Sequence, residues 1–462
     1  MNKIFESIIT DTDSYKFSQW LQYPEGTTHV SSYIESRGGE DETVFFGLQY
    51  ILKKYLEKPI TIDDVEFANS IITEHGLPFN YDGWMSIVKD KGYGYLPIEI
   101  TAVPEGTVMA PHNVQLQITN TVPGFGWLVS YLETLILSGV WYPSTVATKS
   151  RKMKKIIQAA IDKSGSGIVD FKLHDFGSRG CSSRETAKVG GMAHLVNFKG
   201  TDTFIAIPAV MKYYNTTEVV GYSIPASEHS TITSWGKANE VNAFSNMIDK
   251  FSGENKIYAC VSDSYDIMTA CDTWGTTLKN KIIYSGGTLV VRPDSGDPLT
   301  VPVDVIKRLM YHFGYSFNEK GFKVLPSYVR VIQGDGLNEH TLPALINNIL
   351  NAGLSIDNIA FGMGGGLLQA WNRDTLKYAM KASAIRINNG PWIGFAKDPI
   401  TDHGKKSKEG RLALIKENGV FKTVPETSDS LFKNELKQVF FEGKLVNETT
   451  FNDVRARSEG RL

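Results

Sequence analysis

Cysteine is nearly absent from this 462-residue chain, which has three, Cys181, Cys260 and Cys271. An odd count without paired spacing gives no disulfide framework and argues against a zinc site; it suits reduced thiols in a cytosolic protein. An excess of one charge is missing too. With 48 basic and 50 acidic residues the formal net charge is -2, so no broad field draws in nucleic acid or an anionic membrane, and any anion must be held locally. Long hydrophobic runs are also lacking: the most apolar stretch, 127–141, is short for a span and interrupted by Glu133. The opening MNKIFESIITDTDSYK has no apolar core of the signal-peptide kind. Nothing is expected to target the chain or hold it in a membrane.

What is present is ordinary globular material, 42% apolar and 21% charged, without a disorder signature and long enough for two or three domains. The first 149 residues read as a mixed α+β part. Residues 44–56 carry apolar side chains at helical spacing. Residues 61–75 open with a capping box, Thr61 with Asp64, and stop at Gly76. Residues 113–119 alternate strictly, which predicts a strand with one wet face.

From about residue 150 the pattern changes. Short apolar runs at 168–173, 219–224, 257–261, 287–291, 329–332 and 358–361 each end in a Gly/Asp/Ser turn and lead into a helical stretch. Several lack alternation, as expected of strands buried on both faces of a parallel sheet. The spacing predicts an α/β fold: an irregular (β/α) barrel over 150–372, without a clean count of eight, since 197–209 is ambiguous. The remainder, 373–462, contains a basic loop at 397–411 and short apolar pieces from 420 to 441, and is expected to return to the N-terminal part.

In such a barrel the polar residues just past the strands converge on one face. His229 lies at the centre of YSIPASEHSTITSWG (222–236), among hydroxyls and beside Glu228, where a carboxylate could orient it as acid, base or nucleophile. A lone histidine also often caps or packs a turn. The other loops present Asp175, Asp202, Asp263, Asp266, Asp294 and Asp335, with Arg179, Arg292 and the run Gly364, Gly365, Gly366. Asp175 and Asp266 read best as caps. Carboxylates with Mg²⁺, arginine forks and exposed glycine N–H groups together describe a site for a phosphorylated sugar.

The runs TDSYK (12–16), YPEGT (23–27), ETVFFGLQYIL (42–52), WYPSTVAT (141–148), LHDFGSRG (173–180), HLVNFKGTDT (194–203), ASEHSTIT (226–233), SDSYDI (262–267), RPDSGDP (292–298), VIQGDG (331–336), NIAFGMGGGLLQ (358–369) and FAKDPITD (395–402) closely resemble the nicotinamide phosphoribosyltransferase family, in order and over nearly the whole chain. The resemblance implies transfer of phosphoribose from phosphoribosyl pyrophosphate to nicotinamide with Mg²⁺. It also implies a cytoplasmic homodimer of type II phosphoribosyltransferase fold, an irregular barrel with a β-rich domain built from both chain ends. Phe176 would stack on the pyridine, with Tyr15 of the partner on the other face, and Asp202 would accept from the carboxamide. Arg292 and Asp294 would meet nucleotide and pyrophosphate, Gly334 and Asp335 the ribose, and Gly364 and Gly365 the 5′-phosphate, with Arg373 and Lys381 reaching it across the dimer. Arg179 would bind pyrophosphate, Asp263 and Asp294 the Mg²⁺ side, and Arg37 and Lys397 a basic wall. His229 would be phosphorylated by ATP, enhancing turnover. Met363 before the glycine run and Ala379 near Lys381 offer no hydroxyl, so phosphate affinity is expected to differ. Three other readings stay open: a nicotinate phosphoribosyltransferase, with Asp202 as discriminator; a barrel aldolase, which would need a strand-end lysine that no barrel strand supplies; and a non-enzymatic sugar-phosphate module.

Overall fold

The short apolar runs after residue 150 become the staves of a barrel in a compact unit formed by 149–209 and 218–370. The structure, a computed structural model, describes residues 7–91, 93–401 and 406–462; the start of the N-terminal stretch and positions 402–405 of the basic loop lie outside the described residues. Six strands, β1 (Leu173–Asp175), β2 (Gly200–Thr201), β3 (Ile257–Val261), β4 (Thr288–Arg292), β5 (Val329–Gln333) and β6 (Ile359–Met363), form one parallel sheet in the order β2-β1-β6-β5-β4-β3. The two edges meet through residues 222–226. Gly200 bridges Tyr222 and Ala226 bridges Ala259, held by Tyr222 N–H to the Lys199 carbonyl at 2.7 Å and Ala259 N–H to that of Pro225 at 2.9 Å.

The ring is therefore irregular, as expected, and its irregular stave has a cause. Pro225 has no N–H to give to a ladder, so the run expected at 219–224 contributes isolated bridges rather than a strand. The run expected at 168–173 shifts as well: Val169–Phe171 forms a 3-10 turn and β1 begins at Leu173. The ambiguous 197–209 supplies the two-residue β2 and the start of helix Ala206–Tyr213. Inside the ring Ala259, Val290 and Ile332 form a buried cluster, against which Phe176, Ile224 and Ala360 pack. Full burial of a Val- or Ile-sized side chain contributes about 1.5–3 kcal/mol. Beside this plug is a cavity of about 410 Å³ whose wall includes His174, Ser223, Ile224 and Ile332.

The second unit comprises 1–148, 210–217 and 371–462. Its antiparallel sheet of seven strands interleaves both chain ends, in the order Trp392–Gly394, Ala379–Ile387, Thr27–Glu35, Val114–Asn120, Ile98–Ala102, Lys437–Phe441, Lys444–Leu445. The wet face expected for the alternating strand is absent: all of Val114–Asn120 is buried. Its polar side chains are covered because they have partners. Gln115 Nε2 donates to Thr43 Oγ1 at 2.9 Å, and Gln117 Oε1 accepts the Leu412 N–H at 3.0 Å. The helix expected at 44–56 starts only at Leu48, since Thr43–Val44 pairs as a strand with Val108–Met109, and Leu52–Leu56 is π-helical. The capping box does what its sequence dictates: Thr61 N–H donates to Asp64 Oδ2 at 2.8 Å at the head of helix Ile62–Glu74, and Gly76 follows at φ +89°. The apolar 127–141 lies in helices Trp127–Tyr131 and Glu133–Ser164, and no helix among the described residues is long and apolar enough to cross a membrane. The three cysteines are free, Cys260 and Cys271 buried and Cys181 half-buried.

Candidate active site

Phe176 is the first residue past β1, and its ring lies against two glycines at neighbouring strand ends. A Cβ on Gly362 would come within 2.1 Å of the ring, and one on Gly334 within 3.0 Å. Its backbone is held by Phe176 N–H to the Met363 carbonyl at 2.9 Å. Met363 itself is fully buried, so the missing hydroxyl leaves this backbone contact untouched. Asp175 is not the helix cap expected of it. Its carboxylate is buried beneath the turn, where Oδ1 accepts the Gly177 N–H at 2.7 Å and Oδ2 has no partner among the described residues. Burial pushes its carboxyl up to about 6, against the opposing pull of the Gly177 N–H. Asp266, by contrast, does cap: it accepts the Thr269 N–H at 2.7 Å.

Asp202 follows β2. Its own N–H is bound to the Asp175 carbonyl at 2.9 Å, and its exposed carboxylate accepts a hydrogen bond from Ser223 Oγ. His174, on the cavity wall, is held below the ordinary histidine range by burial, partly offset by Asp202.

His229 opens the short helix His229–Thr233 and is exposed. The carboxylate expected to orient it, Glu228, instead accepts from Ser230 Oγ. Two other carboxylates face the imidazole: Nε2 lies 3.4 Å from Asp294 Oδ2 and 3.8 Å from Asp263 Oδ1, while Nδ1 is 3.1 Å from Ser264 Oγ. Asp263 also fixes the next loop, since its Oδ2 accepts the Asp294 N–H at 3.0 Å. Arg292 pairs with Asp294 at 2.7 Å. Two buried atoms here, Asp263 Oδ1 and Arg292 Nε, have no hydrogen-bond partner among the described residues. A carboxylate oxygen and a guanidinium N–H without hydrogen-bond partners on these adjacent strand ends are the donor types a cation arriving with a phosphate would use. No group of three or more His, Cys, Asp or Glu that could hold a metal by itself occurs among the described residues.

Arg179 is exposed in the turn Ser178–Gly180. Asp335 is exposed too, with its carbonyl accepting Gln333 Nε2 at 2.8 Å. Gly364 caps the single turn Gly365–Leu368, and a Cβ on Gly365 would meet nothing within 4 Å. The barrel unit thus brings Phe176, Asp202, His229, Asp263, Arg292, Asp294, Gly334, Asp335, Gly364 and Gly365 to the outgoing ends of its strands and the loops after them.

In the other unit, Arg37, Arg373 and Lys381 form a cationic group. Burial holds Lys381 below the ordinary lysine value; Glu133 opposes this, while Arg37, Lys16 and Arg373 add to it. Ala379 stands opposite Glu35 in the sheet. Tyr15 is 59% exposed. Lys397 is exposed and tied by its backbone N–H to Ser407 Oγ at 2.8 Å. Sequence reasoning passed over Gly362, Ser223 and Ser264. Gly362 sits two positions before the glycine run that drew notice, with Met363 between, and both serines lay inside motifs already marked, with nothing local to separate them from neighbouring hydroxyls.

Comparison with known proteins gives a consistent picture. Residues 171–444 match the model of the nicotinate phosphoribosyltransferase (NAPRTase) family, and residues 7–100 the nicotinamide phosphoribosyltransferase N-terminal domain. A protein of Xanthomonas campestris named nicotinamide phosphoribosyltransferase is 49% identical over 98% of each chain. One of the same name from Acinetobacter baylyi is 30% identical over 97% of this chain and 96% of its own. In fold, the chain is similar to the crystal structure of nicotinate-nucleotide pyrophosphorylase from Pyrococcus furiosus, with a TM-score of 0.62 at 17% identity, covering 98% of this chain and 95% of that one.

Proposed function

Because the chain belongs to the nicotinamide phosphoribosyltransferase family, we propose that it joins nicotinamide to phosphoribosyl pyrophosphate, releasing pyrophosphate and nicotinamide mononucleotide for NAD salvage. The observation that carries this reading is a flat aromatic ring, Phe176, braced on Gly362 and Gly334, with the Asp202 carboxylate on the adjoining strand end. A ring held on glycines offers its free face to another flat ring, and such stacking adds about 0.5–1.5 kcal/mol beyond area burial.

In the reaction the ribose C1–oxygen bond breaks, pyrophosphate leaves with the electron pair, and the pyridine nitrogen supplies the pair that forms the new C1–N bond. Charge separates through an oxocarbenium-like state, so the protein's work is alignment and electrostatics more than proton transfer. Phe176 holds the base in line, and Asp202 accepts its amide N–H. Arg292 and Arg179 take phosphate oxygens, Gly334 and Asp335 bind the ribose hydroxyls, and the N–H groups at Gly364 and Gly365 take the 5′-phosphate. Asp263 and Asp294 would hold Mg²⁺, which when bound neutralises pyrophosphate charge.

The enzyme acts as a cytoplasmic homodimer, in which Tyr15, Arg37, Arg373, Lys381 and Lys397 of one subunit complete the partner's site. The pair of carboxylates at His229 Nε2 is suited to orienting an imidazole that accepts phosphate from ATP and so enhances turnover.

The test is a product assay with nicotinamide, nicotinate and quinolinate, each with phosphoribosyl pyrophosphate and Mg²⁺, run with and without ATP. Nicotinamide should be strongly preferred, and Asp202→Asn should lower its use about ten- to hundredfold while relatively favouring nicotinate. His229→Ala should keep weak synthesis and lose the ATP effect. Equal use of nicotinamide and nicotinate by the wild type would sink the choice of base.

A further inference from the structure

Resting on the assignment of Asp202 as amide reader, we infer that Ser223 is a positioning residue for base selection. Its hydroxyl occupies one oxygen of the Asp202 carboxylate, leaves the other to the substrate amide, and is thereby withheld from the carboxylate of a competing acid.

The backbone under Asp202 is pinned at both sides, with its N–H on the Asp175 carbonyl and its own carbonyl accepting the Phe204 N–H, each at 2.9 Å. The side chain has no such restraint. It is exposed, and Ser223 Oγ donates a hydrogen bond to its Oδ1. Ser223 belongs to the irregular stave that closes the barrel. Thr201 N–H donates to the Tyr222 carbonyl at 3.0 Å, and Ser227 N–H to that of Ala259 at 3.1 Å, so the serine is held from both sides. Asp202 and Ser223 each follow a residue of that first bond, Thr201 and Tyr222. The contact that closes the ring therefore also sets the serine against the carboxylate.

A serine hydroxyl has one proton to donate. Given to Asp202, it is unavailable to an acid. The cavity that Ser223 lines offers an acid little else. Lys172 Nζ donates to the carbonyls of Ile356 and Ile359 at 2.9 Å, and Arg330 Nη1 to that of Pro326 at 2.7 Å, both at the incoming ends of the strands, while burial disfavours protonation of His174. When Asp202 is replaced by alanine, which has no acceptor, the Ser223 proton is released toward the base and becomes a donor for a carboxylate. Ser223 thus gives nicotinate no donor in the wild type and supplies one in the Asp202→Ala variant.

The experiment measures kcat and KM for nicotinamide, nicotinate and phosphoribosyl pyrophosphate in wild type, Ser223→Ala, Ser223→Thr, Asp202→Ala and the Asp202→Ala/Ser223→Ala double variant, with thermal melting alongside. Ser223→Ala should raise the nicotinamide KM about five- to tenfold, the effect of one ordinary hydrogen bond, and leave the phosphoribosyl pyrophosphate KM within about twofold. Ser223→Thr should restore it. The double variant should lose at least about fivefold of the nicotinate activity shown by Asp202→Ala, a non-additivity expected only of coupled residues. A nicotinamide KM unchanged in Ser223→Ala, or raised together with that of phosphoribosyl pyrophosphate, overturns the positioning role, as does an additive double variant. These outcomes leave the proposed activity standing; a wild type indifferent between the two bases removes the amide reader itself and this inference with it.

Discussion

A carboxyl group fully out of solvent is costly to ionise, and Asp175 is such a group, placed directly before the ring that is proposed to stack on the base. Burial raises its pKa to about 6 from the ordinary aspartate value of 3.8. Between those values the folded protein keeps a proton that the unfolded chain has released, so stability falls as pH rises through the window, and the full penalty is present above it. Asp175→Asn keeps an acceptor for the Gly177 N–H and carries no charge. Its stability relative to wild type should therefore climb between pH 4 and 7, by up to about 3 kcal/mol, with most of the change complete near pH 6. Urea midpoints of the two proteins across that range test it, and a gap that does not vary with pH would refute the buried ionisation.

At the scale of elements, what matters is how closely the ends of neighbouring strands approach. β6 runs through Gly362, next to β1, and the Phe176 ring occupies the space a side chain would take there. Gly362→Ala would bring a methyl into the ring, and overpacking of this kind typically costs about 1–3 kcal/mol. With the strand held by its ladder, the ring is the part that gives. The nicotinamide KM should rise about tenfold or more while the phosphoribosyl pyrophosphate KM changes little, and tryptophan fluorescence should show a native fold. A nicotinamide KM equal to wild type would mean that the ring does not rely on Gly362.

For the whole molecule, the proposed dimer makes a prediction that single-chain chemistry does not. Tyr15→Ala and Phe176→Ala subunits, each impaired alone, should yield activity when mixed and allowed to exchange, because half of the sites in a heterodimer would receive an intact set. Mass spectrometry of labelled subunits establishes exchange. Activity no higher than that of either parent after exchange would count against shared sites.

The sequence by itself determined what is local and periodic. Alternating strands and helices predicted the barrel, the Thr61–Asp64 pair capped its helix, and most strand ends fell within two residues of expectation, because hydrophobic period and turn chemistry act over a few neighbours. The runs carrying the family resemblance were legible for the same reason. Tertiary structure decided which partners each polar group finds. Glu228 stands next to His229 in sequence, yet the imidazole faces Asp263 and Asp294 from two later loops. The alternating strand looked half-wet, yet its glutamines are buried against Thr43 and Leu412. Ser223 reaches Asp202 across 21 positions because the barrel closes through an irregular stave. Such contacts depend on long-range packing and ladder register, which no window of neighbouring residues encodes.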